Sequence, residues 1–189
     1  MLLHTDPLMK SKRKKLAAIL ALALSALTTG LVPVAGQTDI NNKDLPNFHT
    51  VHPYLLRGGQ PSDSGLKELA QRGVKTIIDL RGRGERTQKE EALANKLGMD
   101  YINLPMSDKA PTQEQVDKFT STVEKGKAEN KPVFVHCAHG SDRTGCMVGI
   151  WRVQEDGFTY KEAYKEMRKY YFGPQFLRLS GAVKARAAK

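Results

Sequence analysis

Pro132-Val133-Phe134-Val135-His136-Cys137-Ala138-His139-Gly140-Ser141-Asp142-Arg143-Thr144-Gly145, followed by Cys146-Met147-Val148-Gly149-Ile150-Trp151, is the stretch that decides the fold. Residues 132–135 read as a short buried strand, and residues 146–151 as the buried start of a helix. Between them a cysteine and an arginine bracket five residues, so the loop ends on a helix N-terminus. Backbone N–H groups curled in such a loop, with the unpaired N–H groups and positive dipole end of the helix, make a cradle for an anion such as a phosphoryl group. Gly140 lets the loop turn without a Cβ penalty. The same field favours a thiolate, so Cys137 is expected to be nucleophilic at neutral pH. Arg143 suits the complementary role, because a guanidinium fork can hold two phosphoryl oxygens at once and stays charged. Thr144 is placed to donate its hydroxyl to the Cys137 sulfur. His136 reads as a hydrogen-bonded residue that orders the loop, not as a base, since the helix end already activates the thiol.

Working outward, strands and helices alternate. Val51 to Arg57 reads as two short extended pieces around Pro53, followed by a Gly58-Gly59 turn and a helix N-capped near Ser62 with Leu66, Leu69 and Ala70 inward. Val74 to Leu80 and Met99 to Leu104 read as strands. Thr87-Gln88-Lys89-Glu90, Thr112-Gln113-Glu114-Gln115 and Thr159-Tyr160-Lys161-Glu162 each have capping-box spacing and are expected to open helices. This order predicts an α/β fold with a mostly parallel central sheet flanked by helices, and with the Cys137 loop at a strand's carboxyl end.

At the loop, His-Cys-x5-Arg-Thr-Gly resembles the signature of cysteine-dependent protein tyrosine and dual-specificity phosphatases. The resemblance runs from about Tyr54 to Phe172. It takes in Leu56-Arg57-Gly58-Gly59-Gln60-Pro61-Ser62, Gly73-Val74-Lys75-Thr76-Ile77-Ile78-Asp79-Leu80-Arg81 and Tyr101-Ile102-Asn103-Leu104-Pro105, which are similar to segments of small bacterial dual-specificity phosphatases. The resemblance implies Cys137 as nucleophile and Arg143 as transition-state clamp. Ala138, His139, Gly140, Ser141, Asp142 and Thr144 then line the phosphate. It implies a general-acid aspartate in the loop after the strand ending at Leu104, which is Asp108. Asp142 is the rival, because an Asp directly before the Arg occurs in lipid-acting relatives; the other reading of Asp142 is a loop brace. Hydrolysis would pass through a cysteinyl-phosphate, and no metal or cofactor is expected, since the cradle and Arg143 supply the charge stabilisation.

A separate phosphotyrosine-recognition loop is not evident, which points to a shallow site open to phosphotyrosine, phosphoserine and phosphothreonine. A phosphoinositide or inositol-phosphate substrate is the alternative; the loop holds His139 but no lysine, where such relatives often carry lysines. A phosphate-binding module without turnover leaves Cys137 without a task. A thiol oxidoreductase or sulfurtransferase gives no reason for Arg143 or Thr144.

Composition separates the N-terminus from the rest of the 189 residues. Lys10, Lys12, Arg13, Lys14 and Lys15 precede an apolar run from Leu16 to Leu27, the pattern of an export signal, with Val34-Ala35-Gly36 offering small residues for cleavage. An uncleaved signal anchor is the competing reading. The expected organisation is a signal peptide over 1–36, a linker over 37–47 and one phosphatase domain over 48–189, periplasmic or secreted and monomeric. Membrane contact is expected only through the N-terminal segment, if it stays uncleaved. Residues 37–189 carry 25 Lys and Arg against 19 Asp and Glu. That excess steers phosphorylated or acidic partners; without basic blocks interleaved with aromatics it does not suit nucleic acid. Lys184, Arg186 and Lys189 read as a solvated helix end. The two cysteines, Cys137 and Cys146, provide no disulfide framework. Cys146 reads as buried packing, the sharper alternative being a resolving thiol that protects Cys137. No Cys/His spacing suggests zinc.

Overall fold

Alternation along the strand before the loop sets the layers. In the computed structural model, which describes residues 43–187, Val133–His136 is wholly buried and sits at the centre of a five-stranded sheet. In chain order the strands are β1 (His49–His52), β2 (Leu55–Gly58), β3 (Thr76–Asp79), β4 (Asp100–Asn103) and β5 (Val133–His136), and in space β1-β2-β5-β3-β4. β1 runs antiparallel to β2, and every other pairing is parallel. Parallel strands buried on both sides must present apolar groups to two faces, and neighbouring residues divide accordingly. Leu55, Ile78, Val133 and Val135 enter one core, while Leu56, Ile77 and Phe134 enter the other.

Six helices cover those faces among the described residues: α1 (Asp63–Gln71), α2 (Glu85–Lys96), α3 (Gln113–Ala128), α4 (Asp142–Gln154), α5 (Tyr160–Lys169) and α6 (Leu177–Lys184). The first core takes Val116 and Phe119 of α3, Met147, Ile150 and Trp151 of α4, Met167 of α5 and Leu179 and Val183 of α6. The second takes Leu66 and Leu69 of α1 and Ala94 of α2. Nine of the thirteen α4 residues are buried, so it is the central helix of its layer and not an amphipathic one. Gly149 permits this, because a Cβ there would lie 3.0 Å from the Met167 sulfur and 3.1 Å from Val183. Trp151, 2% exposed, contributes a large share of the apolar burial; its truncation to alanine should cost about 3–5 kcal/mol.

Ser62, Thr112 and Thr159 cap their helices as the sequence predicts, each side chain accepting a backbone N–H three residues on. The remaining box is displaced. Thr87 lies inside α2, which begins at Glu85, and its hydroxyl bonds back to the N–H and carbonyl of Gly84. The described end of the expected linker also departs from expectation. Leu45 is wholly buried, the Pro46 carbonyl accepts from Gly59 N–H at 2.7 Å, and Asp44 accepts from the Ser62 hydroxyl at 2.6 Å. Apolar Leu45 and Phe48 have a core to enter, which holds residues 44–48 against the domain. Arg186 does not extend into solvent: it donates to the Ala182 carbonyl and to Gln113. The expected signal segment, its cleavage or anchoring and linker residues 37–42 lie outside the described residues, as does Lys189. Among the described residues no helix is long and apolar enough to cross a membrane.

Candidate active site

Cys137 follows β5 directly and is 2% exposed, and α4 begins at Asp142, so strand and helix hold the ends of the loop between them. Its carbonyls are taken one after another, the first by neighbouring His136 and the rest by donors from residues 47–60. The Cys137 carbonyl lies 3.2 Å from His136 Nδ1, Ala138 O accepts from Gln60 N–H at 3.1 Å, His139 O from Asn47 Nδ2 at 3.3 Å and Gly140 O from Arg57 Nη2 at 2.7 Å. In a trans peptide the following N–H points opposite its carbonyl. These four contacts therefore turn the N–H groups of Ala138, His139, Gly140 and Ser141 away from the donors and leave them for an anion, as a backbone nest requires. Gly140 is required for this path: its φ is +75°, and a Cβ would lie 2.4 Å from the Gly58 carbonyl carbon.

Arg143 occupies the first turn of α4, half-buried, with Nη1 3.4 Å from the Leu80 carbonyl and 3.5 Å from that of Met106. Both contacts are at the long limit, and no carboxylate pairs with it among the described residues. Its guanidinium is thus held in place with its charge unspent. It shares a cleft of about 260 Å³ with Ser107, Asp108, His139, Asp142, Phe176 and Leu179. The structure brings Asp108 to this cleft on an exposed loop. Asp142 is tied down, its Oδ1 accepting the Gly173 N–H at 2.8 Å, which is the geometry of a brace. Ser141 is buried and makes no side-chain cap bond. Thr144 departs from expectation: its hydroxyl is buried without a hydrogen-bond partner, so the bond to the Cys137 sulfur is not made. A larger depression of about 800 Å³, formed by Leu104, Pro105 and the start of α3, does not include Arg143.

Sequence reasoning missed the support behind the loop. Period-two alternation puts His136 on the Phe134 face, towards α2, where its Nε2 lies 2.8 Å from Glu90 Oε1 in close ion-pair contact without an aligned hydrogen bond. Arg81 grips both Oδ atoms of Asp79 and reaches Glu90 at 2.6 Å. The Tyr101 hydroxyl donates to Asp79 as well. Burial alone would raise the Asp79 carboxyl, but Arg81, His136 and Tyr101 outweigh it and hold Asp79 below the ordinary carboxylate range. Asp79, Glu90 and His136 have ligand-type atoms within 4.8 Å of one another. Arg81 already bridges both carboxylates, and His136 lies against Glu90, which makes this an ion-pair network behind the loop. Cys146 donates weakly to the Leu179 carbonyl at 3.4 Å, and burial pushes its thiol up to about 12. A thiol so reluctant to ionise is poorly suited to resolve an oxidised Cys137.

Residues 38–184 match the family described as DSP-PTPase phosphatase fused to NAD+ kinase. The chain belongs to this family. It is similar to the probable chloroplastic NAD kinase 2 of Oryza sativa subsp. japonica, 38% identical over 104 residues that make up 51% of this chain and 10% of that protein. It is also similar to the dual specificity protein phosphatase TpbA of Pseudomonas aeruginosa, 24% identical over 68% of this chain and 56% of TpbA. The chain therefore spans only a small part of the plant kinase and about half of TpbA. In fold it matches the TpbA crystal structure with a TM-score of 0.63 at 23% identity, covering 75% of this chain and 85% of that one. The core catalytic domain of the S. cerevisiae PP-IP phosphatase SIW14 matches with a TM-score of 0.64 at 22% identity, covering 76% and 86%. The DSP-PTPase fold is thus a five-stranded, mostly parallel sheet with six described helices around one phosphate-type loop.

Proposed function

We propose that this DSP-PTPase domain hydrolyses phosphotyrosine, and with it phosphoserine and phosphothreonine, through a cysteinyl-phosphate. What supports the reading is the loop after Cys137, whose carbonyls are held so that its N–H groups are left for an anion, together with an Arg143 that no carboxylate pairs among the described residues. The Cys137 thiolate attacks phosphorus, the S–P bond forms as the P–O bond breaks, and the leaving oxygen takes a proton from Asp108. Water then attacks the phosphocysteine and gives a proton to Asp108. Inorganic phosphate leaves and the thiolate is restored. Arg143 and the loop N–H groups hold the equatorial oxygens throughout. A TpbA structure in complex with pTyr, a relative by fold, supports an aryl phosphate in such a cleft. SIW14 supports inositol phosphates as the second reading.

A phosphate-release screen on the domain tests this, using phosphopeptides of all three types and inositol phosphates, with Cys137→Ser as control. Release from phosphopeptides that vanishes in the control is the expected result. Turnover of inositol phosphates alone would replace this reading with the second. We also propose export of the domain, on the strength of the basic and apolar run in residues 10–27. Fractionation of cells expressing the chain with and without residues 1–36 should find it outside the cytoplasm only when they are present.

A further inference from the structure

Arg57 is a wholly buried cation that the chemistry above leaves unused. It lies on β2, 0% exposed, and alternation turns it towards the layer of α4 and α5 beneath the loop. Its Nη2 donates to the Gly140 carbonyl at 2.7 Å, while Nε and Nη1 have no hydrogen-bond partner. Its guanidinium packs 4.7 Å from the Tyr170 ring centroid. The charged and titratable groups that face it are Glu166 and Tyr170 at the end of α5, Cys137 in the loop and Arg152 in α4; none is an ion-pair partner. Burial lowers its proton affinity to about 10, which leaves it charged at neutral pH.

A neutral donor would hold one carbonyl just as well, and burying an unpaired guanidinium is costly. Glu166 and the Tyr170 ring offset part of that cost, and negative charge formed nearby offsets more. Two such charges belong to the proposed reaction: the Cys137 thiolate and the phosphoryl dianion. Arg57 also fixes one peptide, because with its carbonyl held the trans 140–141 unit must aim the Ser141 N–H the other way.

We propose that Arg57 is a positioning residue and the second cation of the phosphate site, fixing the 140–141 peptide through the Gly140 carbonyl and favouring thiolate and bound dianion by its buried charge. The proposal rests on the reading of the loop as a phosphate site, but its test does not need turnover. On the full chain, Arg57→Met and Arg57→Lys are compared with the parent in three measurements: the pH dependence of Cys137 alkylation by iodoacetamide, affinity for orthovanadate, and thermal midpoint. Cys146, wholly buried, does not compete for the reagent. The methionine variant should move the alkylation midpoint up by about one pH unit, tenfold in thiolate fraction, and weaken orthovanadate by about tenfold or more. The lysine variant should keep the midpoint and lose part of the orthovanadate affinity. A methionine variant in which the thermal midpoint alone falls would reduce Arg57 to a fold residue and overturn the proposal. Should that variant fail to fold, the lysine variant decides: weaker orthovanadate with an unmoved midpoint supports the proposal, whereas both unchanged, or a midpoint raised although the charge is kept, overturns it.

Discussion

Two loops meet at Arg143, and they are held in opposite ways. The Cys137 carbonyl is met by neighbouring His136 and those of Ala138, His139 and Gly140 by donors from residues 47–60, with Gly140 pressed against the Gly58–Gly59 backbone. From Ser107 to Ala110 every residue is exposed, and the bond recorded there is internal, Lys109 N–H to the Ser107 hydroxyl at 3.1 Å. An anion site must be formed before the substrate arrives, because its dipoles stabilise the transition state only if they need not reorganise. A general acid must come close to the leaving oxygen and then make room for water, a gating task suited to a weakly held loop. In the proposed reaction, the contrast separates residues that act by staying fixed from one that acts by approaching.

The sharpest break in that contrast would come from the fixed side. Cys137→Ser should abolish phosphate release while orthophosphate still binds, since a hydroxyl preserves the cradle yet is not ionised by it. Isothermal titration of orthophosphate alongside a turnover assay checks both halves, and substantial residual activity would defeat the covalent route. Next in size, Asp79→Asn should cost about 3–5 kcal/mol of stability, because it leaves the Arg81 charge buried with half its partners. Asp79 is held below its ordinary range in the folded protein. Its contribution is thus present above the unfolded carboxylate value of about 3.9 and is lost as pH falls through the lower folded value. Denaturant melts across pH 2–7 should show a steep acid limb in the parent and a flatter one in the variant; parallel limbs would remove Asp79 from the loop's support.

Arg143→Lys should slow turnover by about a hundredfold, or about 2.7 kcal/mol, because the charge stays but the two-pronged hold on a flattening phosphoryl group goes. Steady-state kinetics decides, and near-normal rates would end the transition-state role. The smallest effect belongs to the loosely held side. Asp108→Asn should lower the rate on an alkyl phosphate about tenfold more than on an activated aryl phosphate, whose leaving group needs no proton. Asp142→Asn, a brace removed from Gly173, should lower both rates in similar proportion. If the leaving-group dependence follows Asp142 instead, the acid belongs to the fixed loop and the division between the two loops collapses.

What could be read from the chain follows the range of each interaction. Cap spacings at Thr112 and Thr159 depend on residues three apart, and they hold. At Thr87 the same spacing is ambiguous, because a threonine at the third helical position can turn back to the residue before the helix, as it does towards Gly84. The loop itself was legible because strand, cysteine, arginine and helix are contiguous. Its supports were not: Arg57 and Gly140 are 83 residues apart, and Asn47 and His139 are 92 apart. An arginine within the buried run Leu55–Gly58 is the one signal the sequence carries for that hidden contact. Polar composition around residues 43–47 concealed Leu45, whose burial depends on α1 and β2 being already in place.

The position of β5 between β2 and β3 has a consequence for how the domain is made. Until this last strand inserts, β1-β2 on one side and β3-β4 on the other share no pairing. Parallel pairings of this kind bring together residues far apart in the chain, which makes folding slow relative to helical domains of similar size. The insertion that joins the half-sheets also delivers Cys137 to its cradle. Synthesis must pass the central strand before either exists, so a nascent chain carries Cys137 without the loop that surrounds it in the folded domain. The loop's cradle and sheet closure arrive in one event.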